Sequence, residues 1–145
     1  MEEHYAASTG MQNTLTSLVF EGVFERFPKL KVVLIEGGFA WAPALCWRMD
    51  KHWDRLRVET PHVKRPPSEY IREHFWVSTQ PMEEAEDPDH VMDAMRWIGF
   101  DRILFASDYP HWDFDDPFLA LPPSLTEEQR QMIYAGNAKK LYGLS

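Results

Sequence analysis

Hydrophobic positions along the chain alternate between helical spacing and short continuous runs. Between Met11 and Phe27 the apolar residues recur at helical spacing, which predicts an amphipathic helix that ends at Pro28. The next run, residues 31–36, is mostly apolar, rich in β-branched side chains and closed by two glycines. Such a run is typical of a strand that is buried on both faces.

The same alternation continues through the middle of the chain. Helical spacing over residues 40–58 predicts a second long helix, and the proline-rich segment 60–67 predicts a connecting loop. We expect a short helix over residues 68–74, with Ser68 as its N-cap, and a strand over residues 75–79.

A third helix and strand follow, and then a last helix. Asp87 and Pro88 have the residue types that begin a helix, and Gly99 is placed to end it. Residues 103–107 predict a third strand, and the capping-box pattern of residues 124–127 predicts where the last helix begins.

This order predicts an α/β fold with a parallel sheet and crossover helices, as a single domain over residues 1–145. Residues 1–10 are small and polar, which favours a flexible N-terminal tail. A free sheet of three strands would expose apolar edges. We therefore interpret the chain as part of a larger barrel, or as a fragment that needs partner strands.

Composition narrows the possible functions. The chain has 145 residues, 44% hydrophobic and 14% aromatic, with a formal net charge of −8. This charge argues against nucleic-acid binding, which needs clustered Lys and Arg. The sequence contains one cysteine and no signal-like or membrane-spanning run. We expect a soluble, cytoplasmic protein that binds a small molecule and neither a membrane nor nucleic acid.

Candidate chemistry lies where the predicted strands end, because ligands of parallel α/β folds bind at the carboxyl ends of the strands. Glu36 ends the first strand, and residues 78–80 end the second. Asp108 ends the third, with His111 just beyond it. The histidines show no short metal-ligand spacing such as His-x-His.

Structural roles remain open for each of these residues. Glu36 can pair with Arg48 or cap a helix, and Asp108 can cap the turn before Pro110. Arg48 can instead pair on the surface with Asp50 or Asp54, and His111 can simply pack among aromatic rings.

Three segments carry a resemblance to a known family: residues 22–38, 101–110 and 136–142. Together they resemble the amidohydrolase-related family of metal-dependent enzymes, which includes aminocarboxymuconate semialdehyde decarboxylase and γ-resorcylate decarboxylase. The resemblance implies a TIM (β/α)8 barrel. It also implies that this chain is the C-terminal part of the barrel, containing strands 6–8 and their helices.

The resemblance also implies a site. It implies one divalent metal, usually zinc, with Asp108 as the ligand from strand 8 and the other ligands absent from this chain. Glu36 stands where the family's decarboxylases have a histidine, and it is the candidate catalytic acid or base. Asp108 is the other candidate catalytic residue, because it would bind the metal and orient the metal-bound water. Arg48, His111 and Trp41 are the candidate substrate contacts.

We expect, by this resemblance, the C-terminal portion of an enzyme that hydrolyses or non-oxidatively decarboxylates a small carboxylated compound. The alternative is a catalytically inactive barrel fragment with a structural or oligomerisation role. Because the family is often oligomeric and the sheet edges are open, we expect a homo-oligomer in either case.

Overall fold

A short parallel sheet lies at the centre of the computed structural model, which describes residues 2–145, with side chains from Ala6 onward. The strands are β1 (Val32–Leu34), β2 (Phe75–Ser78) and β3 (Ile103–Leu104). They are parallel and lie side by side in the order β1-β2-β3. The predicted α/β fold class is confirmed. The three strands with their helices are consistent with part of a (β/α)8 barrel.

Helices connect and flank these strands. Helices α1 (Glu2–Phe20) and α2 (Val23–Arg26) precede β1. Helices α3 (Ala42–Leu56) and α4 (Pro67–His74) connect β1 to β2, and α5 (Pro88–Ile98) connects β2 to β3. After β3 come α6 (Glu127–Gln131), a π-helical segment (Met132–Gly136) and α7 (Asn137–Tyr142).

The N-terminal region differs from the prediction in two ways. Residues 2–10 are helical rather than a tail, while residue 1 lies outside the described residues. Gly10 lies inside α1, where a glycine costs only about 1 kcal/mol relative to alanine and so does not end a helix. The predicted helix up to Phe27 is broken at Gly22, whose φ of +68° is left-handed.

Helix caps are partly as predicted. The Asp87 carboxylate accepts the Asp89 N–H at 3.0 Å at the start of α5, and Gly99 follows its last residue. Ser68 is not an N-cap, because it lies inside the first turn of α4 and donates from its N–H and hydroxyl to Asp50. Ser124 is not an N-cap either, because the N-cap of α6 is Thr126.

The capping box lies two residues later than the sequence pattern suggests. Thr126 is the N-cap of α6: its hydroxyl accepts the Gln129 N–H at 3.2 Å, and the Gln129 side chain accepts the Thr126 N–H at 2.9 Å. Thr126 with Gln129 has the same residue classes and spacing as Ser124 with Glu127, so the pattern alone does not separate them.

The strands are shorter than predicted at their carboxyl ends. The strand expected over residues 31–36 covers Val32–Leu34, and that expected over 103–107 covers Ile103–Leu104. Beyond Leu104 the backbone leaves the ladder, and the Phe105 N–H donates to Ile133 O at 3.0 Å in the π-helical segment. The sheet therefore opens at the edge where the candidate residues lie.

One apolar core holds these layers together. All four residues of β2 are buried, as expected for a central strand covered on both faces. The most deeply buried side chains come from helices, loops and sheet alike: Leu15, Phe39, Met95, Ile103 and Ile133. None of the described helices combines the length and the apolar character needed to cross a membrane.

Candidate functional site

Glu36 and Asp108 lie at the same edge of the sheet, as the topology predicts. Glu36 follows β1 and Asp108 follows β3, the two strands on either side of β2. Because neighbouring strands lie about 4.8 Å apart, the two chain segments leave the sheet about 10 Å from each other.

Both residues have a left-handed backbone. The φ angle is +65° at Glu36 and +59° at Asp108, and they are the two non-glycine residues of the described chain with positive φ. Aspartate tolerates this region better than most residues, whereas for glutamate it carries a cost of about 1–2 kcal/mol. Backbone strain of this kind concentrates at functional sites.

Asp108 and His111 form a compact pair. The His111 Nδ1 lies 3.1 Å from the Asp108 Oδ2, and the His111 N–H donates to the Asp108 O at 2.8 Å. The His111 side chain is 38% exposed and the Asp108 side chain 35% exposed, although the His111 Nδ1 itself is buried. Tyr109 and Trp112, next to them in sequence, are 76% exposed each. The structure therefore places His111 beside Asp108.

The loop after β1 is fixed by Glu83, which the sequence reasoning missed. The Glu83 Oε1 accepts the N–H groups of Phe39 at 2.6 Å and Ala40 at 2.7 Å. A Cβ on Gly38 would lie 2.6 Å from the same oxygen, and Gly38 has a φ of +61°. Glu83 lies in an acidic stretch, residues 83–89, and no local pattern signals a contact with a segment 43 residues away.

Trp41 lies beside the site but faces the core. Its Nε1–H donates to the Gly37 O at 2.9 Å, and its half-buried ring packs against the core cluster. The indole N–H is therefore engaged within the loop after β1. A role as a substrate contact would have to use the exposed part of the ring.

Arg48 is exposed on α3, and the surface pairs predicted for it do not form. Asp54 pairs instead with Arg57 at 2.7 Å, and Asp50 accepts the Ser68 hydrogen bonds. Within the described residues there is also no ion pair between Arg48 and Glu36. The role of Arg48 as a substrate contact stays a prediction.

The donors present suit a divalent metal in type but not in number. Asp108 offers a carboxylate oxygen and His111 an imidazole nitrogen, which are ligands that manganese and zinc accept. Within the described part of the chain, no group of three His, Cys, Asp or Glu residues could hold a metal ion. Asp108 as a metal ligand therefore stays a prediction.

A cavity of about 370 Å³ lies between the loops that follow β2 and β3. Its wall includes Glu83, Glu84, Asp115 and Asp116, but neither Glu36, Asp108 nor His111. Burial is the main cause that raises the pKa of Asp115; the Met82 N–H hydrogen bond lowers it, and the charges of Asp113 and Glu84 raise it further. We take the strand ends, and not this cavity, as the candidate site, because the cavity wall is acidic and does not include Glu36, Asp108 or His111.

Parallel strands joined by helices, with a carboxylate beyond each outer strand at the carboxyl edge, define part of a ligand-binding α/β fold. The sequence profile of the amidohydrolase family matches residues 9–144. The chain belongs to the amidohydrolase family, which confirms the resemblance in the sequence.

Relatives of known activity match most of this chain but less than half of their own length. The γ-resorcylate decarboxylase of Polaromonas sp. (strain JS666) is 32% identical over 133 residues, which are 88% of this chain and 39% of the relative. The 2-amino-3-carboxymuconate-6-semialdehyde decarboxylase of Dictyostelium discoideum is 28% identical over 140 residues, 90% of this chain and 36% of the relative.

A solved structure of a similar protein contains a metal. The dihydroxybenzoic acid decarboxylase of Polaromonas sp. JS666, with bound manganese and the inhibitor 2-nitroresorcinol, superposes with a TM-score of 0.73 at 28% identity. The match covers 94% of this chain and 41% of that protein. A divalent metal is thus supported for the family, although the metal in this relative is manganese and not the zinc expected from the sequence.

Proposed function

We propose that this chain is the C-terminal part, strands 6–8, of an amidohydrolase-type barrel that removes a carboxylate from a small aromatic compound with a divalent metal. The observation that carries the proposal is the placement of Glu36 and Asp108. Both follow strands of one parallel sheet at its carboxyl edge, and both have a left-handed backbone.

Asp108 is the proposed metal ligand of this chain, and it also acts in catalysis by fixing the position of the metal. The neighbouring His111 imidazole has its Nδ1 3.1 Å from the Asp108 Oδ2, and its proposed additional role is to help orient this carboxylate. When bound, the metal supplies Lewis-acid stabilisation of negative charge on substrate oxygens. The other ligands have to come from segments outside this chain.

Glu36 is the proposed acid of the reaction. In decarboxylation without an oxidant, the ring carbon that bears the carboxylate takes up a proton. The bond from this carbon to the carboxylate then breaks, its electron pair returns to the ring, and carbon dioxide leaves. Glu36 is exposed at the strand edge, so its carboxyl group can reach a ligand and exchange protons with solvent.

Arg48, His111 and Trp41 are the proposed substrate contacts. A guanidinium binds a carboxylate through two parallel hydrogen bonds, and an imidazole binds ring hydroxyls. An aromatic substrate would pack against the exposed part of the Trp41 ring. Decarboxylation is favoured over hydrolysis because the relatives reported above are decarboxylases by name.

The test is metal binding and turnover by the complete barrel, which contains the other proposed ligands, with and without the Asp108→Asn substitution. Asparagine also accepts a left-handed backbone, so the variant removes the charge with little change in fold. We expect manganese binding, measured by calorimetry, to be lost in Asp108→Asn. Asp101→Asn is the matched control, because Asp101 lies at the opposite end of the same strand and contacts Arg102.

Turnover is measured as carbon dioxide release from 2,6-dihydroxybenzoate, which a solved relative binds, with manganese or zinc. Sizing chromatography in the same experiment tests the proposed homo-oligomer. Equal manganese affinity in the unaltered barrel and in Asp108→Asn would disprove the metal assignment. A complete barrel that binds no metal and releases no carbon dioxide would support the catalytically inactive alternative instead.

A further inference from the structure

Three consecutive polar residues at the end of β2 are almost completely buried. Ser78, Thr79 and Gln80 are 4%, 0% and 3% exposed. Buried polar side chains in native proteins nearly always have hydrogen-bond partners, and the identity of those partners shows what such residues hold in place. Here the partners lie in the segments that carry Glu36 and Asp108.

Ser78 connects β2 to the segment after β1. Backbone pairing between the two strands ends at Leu34 and Val77. One step further, the Ser78 hydroxyl accepts the Glu36 N–H at 3.0 Å and donates to the Gln80 O at 3.2 Å. A side chain thus continues the connection where the two backbones separate, and it does so at the candidate acid itself.

Thr79 makes the equivalent connection on the other side of β2. The Thr79 N–H donates to the Leu104 O at 2.9 Å, at the last residue of β3. The Thr79 hydroxyl then accepts the Ala106 N–H at 3.1 Å and donates to the Ala106 O at 3.2 Å. Both backbone groups of a residue just before Asp108 are therefore bound by one hydroxyl.

Gln80 fixes the far side of the same segment. Its Nε2 donates to the Asp113 O at 3.0 Å. The turn that contains Asp108 and His111 is therefore held before it by Thr79 and after it by Gln80. All three contacts come from β2 or the residues directly after it, so one buried tripeptide links both outer strand ends.

We propose that Ser78, Thr79 and Gln80 are positioning residues that hold the backbones of Glu36 and Asp108 in their left-handed conformations, so that both carboxylates face one ligand. A left-handed backbone at a non-glycine residue persists only where its surroundings determine it. The hydroxyl and amide hydrogen bonds are the interactions that determine it here. The catalytic and metal-binding roles of the two carboxylates rest on the proposed function. The claim that these three residues hold the backbone conformation does not.

The test combines backbone NMR of the 145-residue chain with the manganese affinity of the complete barrel, which contains the other proposed ligands. A residue with positive φ gives a strong nuclear Overhauser effect between its own amide and α protons, because these two protons then lie close together. In Ser78→Ala we expect this signal to weaken at Glu36 and to persist at Asp108. In Thr79→Val, which keeps the shape of the side chain without its hydroxyl, we expect the reverse.

Two control variants separate positioning from general destabilisation. Thr79→Ser keeps the hydroxyl, so we expect it to keep the signal at Asp108. Thr60→Val removes a hydroxyl that is also buried but has no hydrogen-bond partner within the described residues, so neither signal should change. Changes to groups that support a metal ligand typically lower metal affinity about 10–100-fold, and we expect a loss of this size in Thr79→Val only.

The proposal is overturned if Ser78→Ala and Thr79→Val fold cooperatively and keep both proton signals. If one of these variants does not fold, amide exchange in the unaltered chain decides. The proposal is supported if the amides of Glu36 and Ala106 are as protected from exchange as the amides of β2. It is overturned if these two amides exchange as fast as those of exposed loops. If the complete barrel binds no manganese while the proton signals change as expected, the proposed function is refuted and the positioning role is supported.

Discussion

The carboxylate of Glu83 accepts the backbone N–H of Phe39 at 2.6 Å, across 44 residues of sequence. The same oxygen accepts the next N–H, from Ala40, at 2.7 Å. One anionic side chain from the loop after β2 therefore fixes the loop that leads from Glu36 to α3. This contact has a measurable energetic consequence, because hydrogen bonds to a charged acceptor are stronger than those between neutral groups.

Glu83→Ala is expected to lower the free energy of unfolding by about 1–3 kcal/mol, since it leaves two backbone N–H groups without their acceptor. Urea denaturation measures the change. Glu84→Ala is the control, because Glu84 is exposed and a surface substitution of this kind changes stability by less than about 0.5 kcal/mol. Equal effects of the two variants would show that the Glu83 contact contributes nothing specific.

Two glycines are expected to respond in opposite directions to substitution by alanine. A Cβ on Gly37 would lie 1.9 Å from the Met11 Sδ, so Gly37→Ala forces this side chain to move and should cost about 1–3 kcal/mol. Gly10 lies inside α1 with no atom within 4 Å of such a Cβ. Gly10→Ala should therefore stabilise the chain by about 0.5–1 kcal/mol.

The same urea experiment compares the two glycine variants, and Met11→Ala combined with Gly37→Ala tests the cause. Removing the Met11 side chain beyond Cβ removes the clash, so the double variant should lose less than the sum of the two single changes. Strict additivity would contradict a clash with Met11.

These contacts show what the sequence could and could not provide. Periodicity and cap residues predicted α3 and α5 because those signals are local, and topology alone predicted that Glu36 and Asp108 share one edge of the sheet. The contact of Glu83 with Phe39 is not encoded in any local pattern. Nor is the replacement of strand pairing by the Thr79 hydroxyl, which ends β3 earlier than its apolar run suggests.

Cys46 is expected to be unreactive in the folded chain. It is 0% exposed, and burial, with a smaller contribution from the Asp50 charge, raises its pKa to about 12. The thiolate is the reactive form, so a disulfide reagent at pH 8 should label Cys46 only when the chain unfolds. Labelling rates with and without urea measure this. Rapid labelling in the folded state would contradict the burial of α3 against the core.

The raised pKa of Asp115 predicts that the stability of the chain depends on pH. Its folded pKa is raised above the ordinary 3.8, so the folded state binds a proton more tightly than the unfolded state does. This carboxyl therefore favours the folded state below its ordinary pKa. The contribution is lost as the pH rises through the raised pKa, which leaves Asp115 destabilising at neutral pH.

We therefore expect Asp115→Asn to be more stable than the unaltered chain at pH 7. This gain in the free energy of unfolding should be smaller at pH 4. The asparagine oxygen can still accept the Met82 N–H, which Asp115 accepts at 3.2 Å. Denaturation curves at both pH values give the difference. Asp93→Asn is the control, because Asp93 is exposed and pairs only with Arg96. A gain in stability that is equal at both pH values would contradict the raised pKa.

Glu36→Gly is expected to make the chain more stable and, under the proposed function, inactive. The φ of +65° at Glu36 is strained for glutamate but free for glycine, and its exposed side chain contributes little packing. Relief of this strain should raise the free energy of unfolding by up to about 1 kcal/mol, whereas Glu36→Gln should leave it unchanged.

Both variants should lose turnover, because neither can donate a proton to the substrate. Unfolding in urea and carbon dioxide release measure the two effects separately. Stability gained with turnover intact would assign the strain at Glu36 to the fold and not to catalysis.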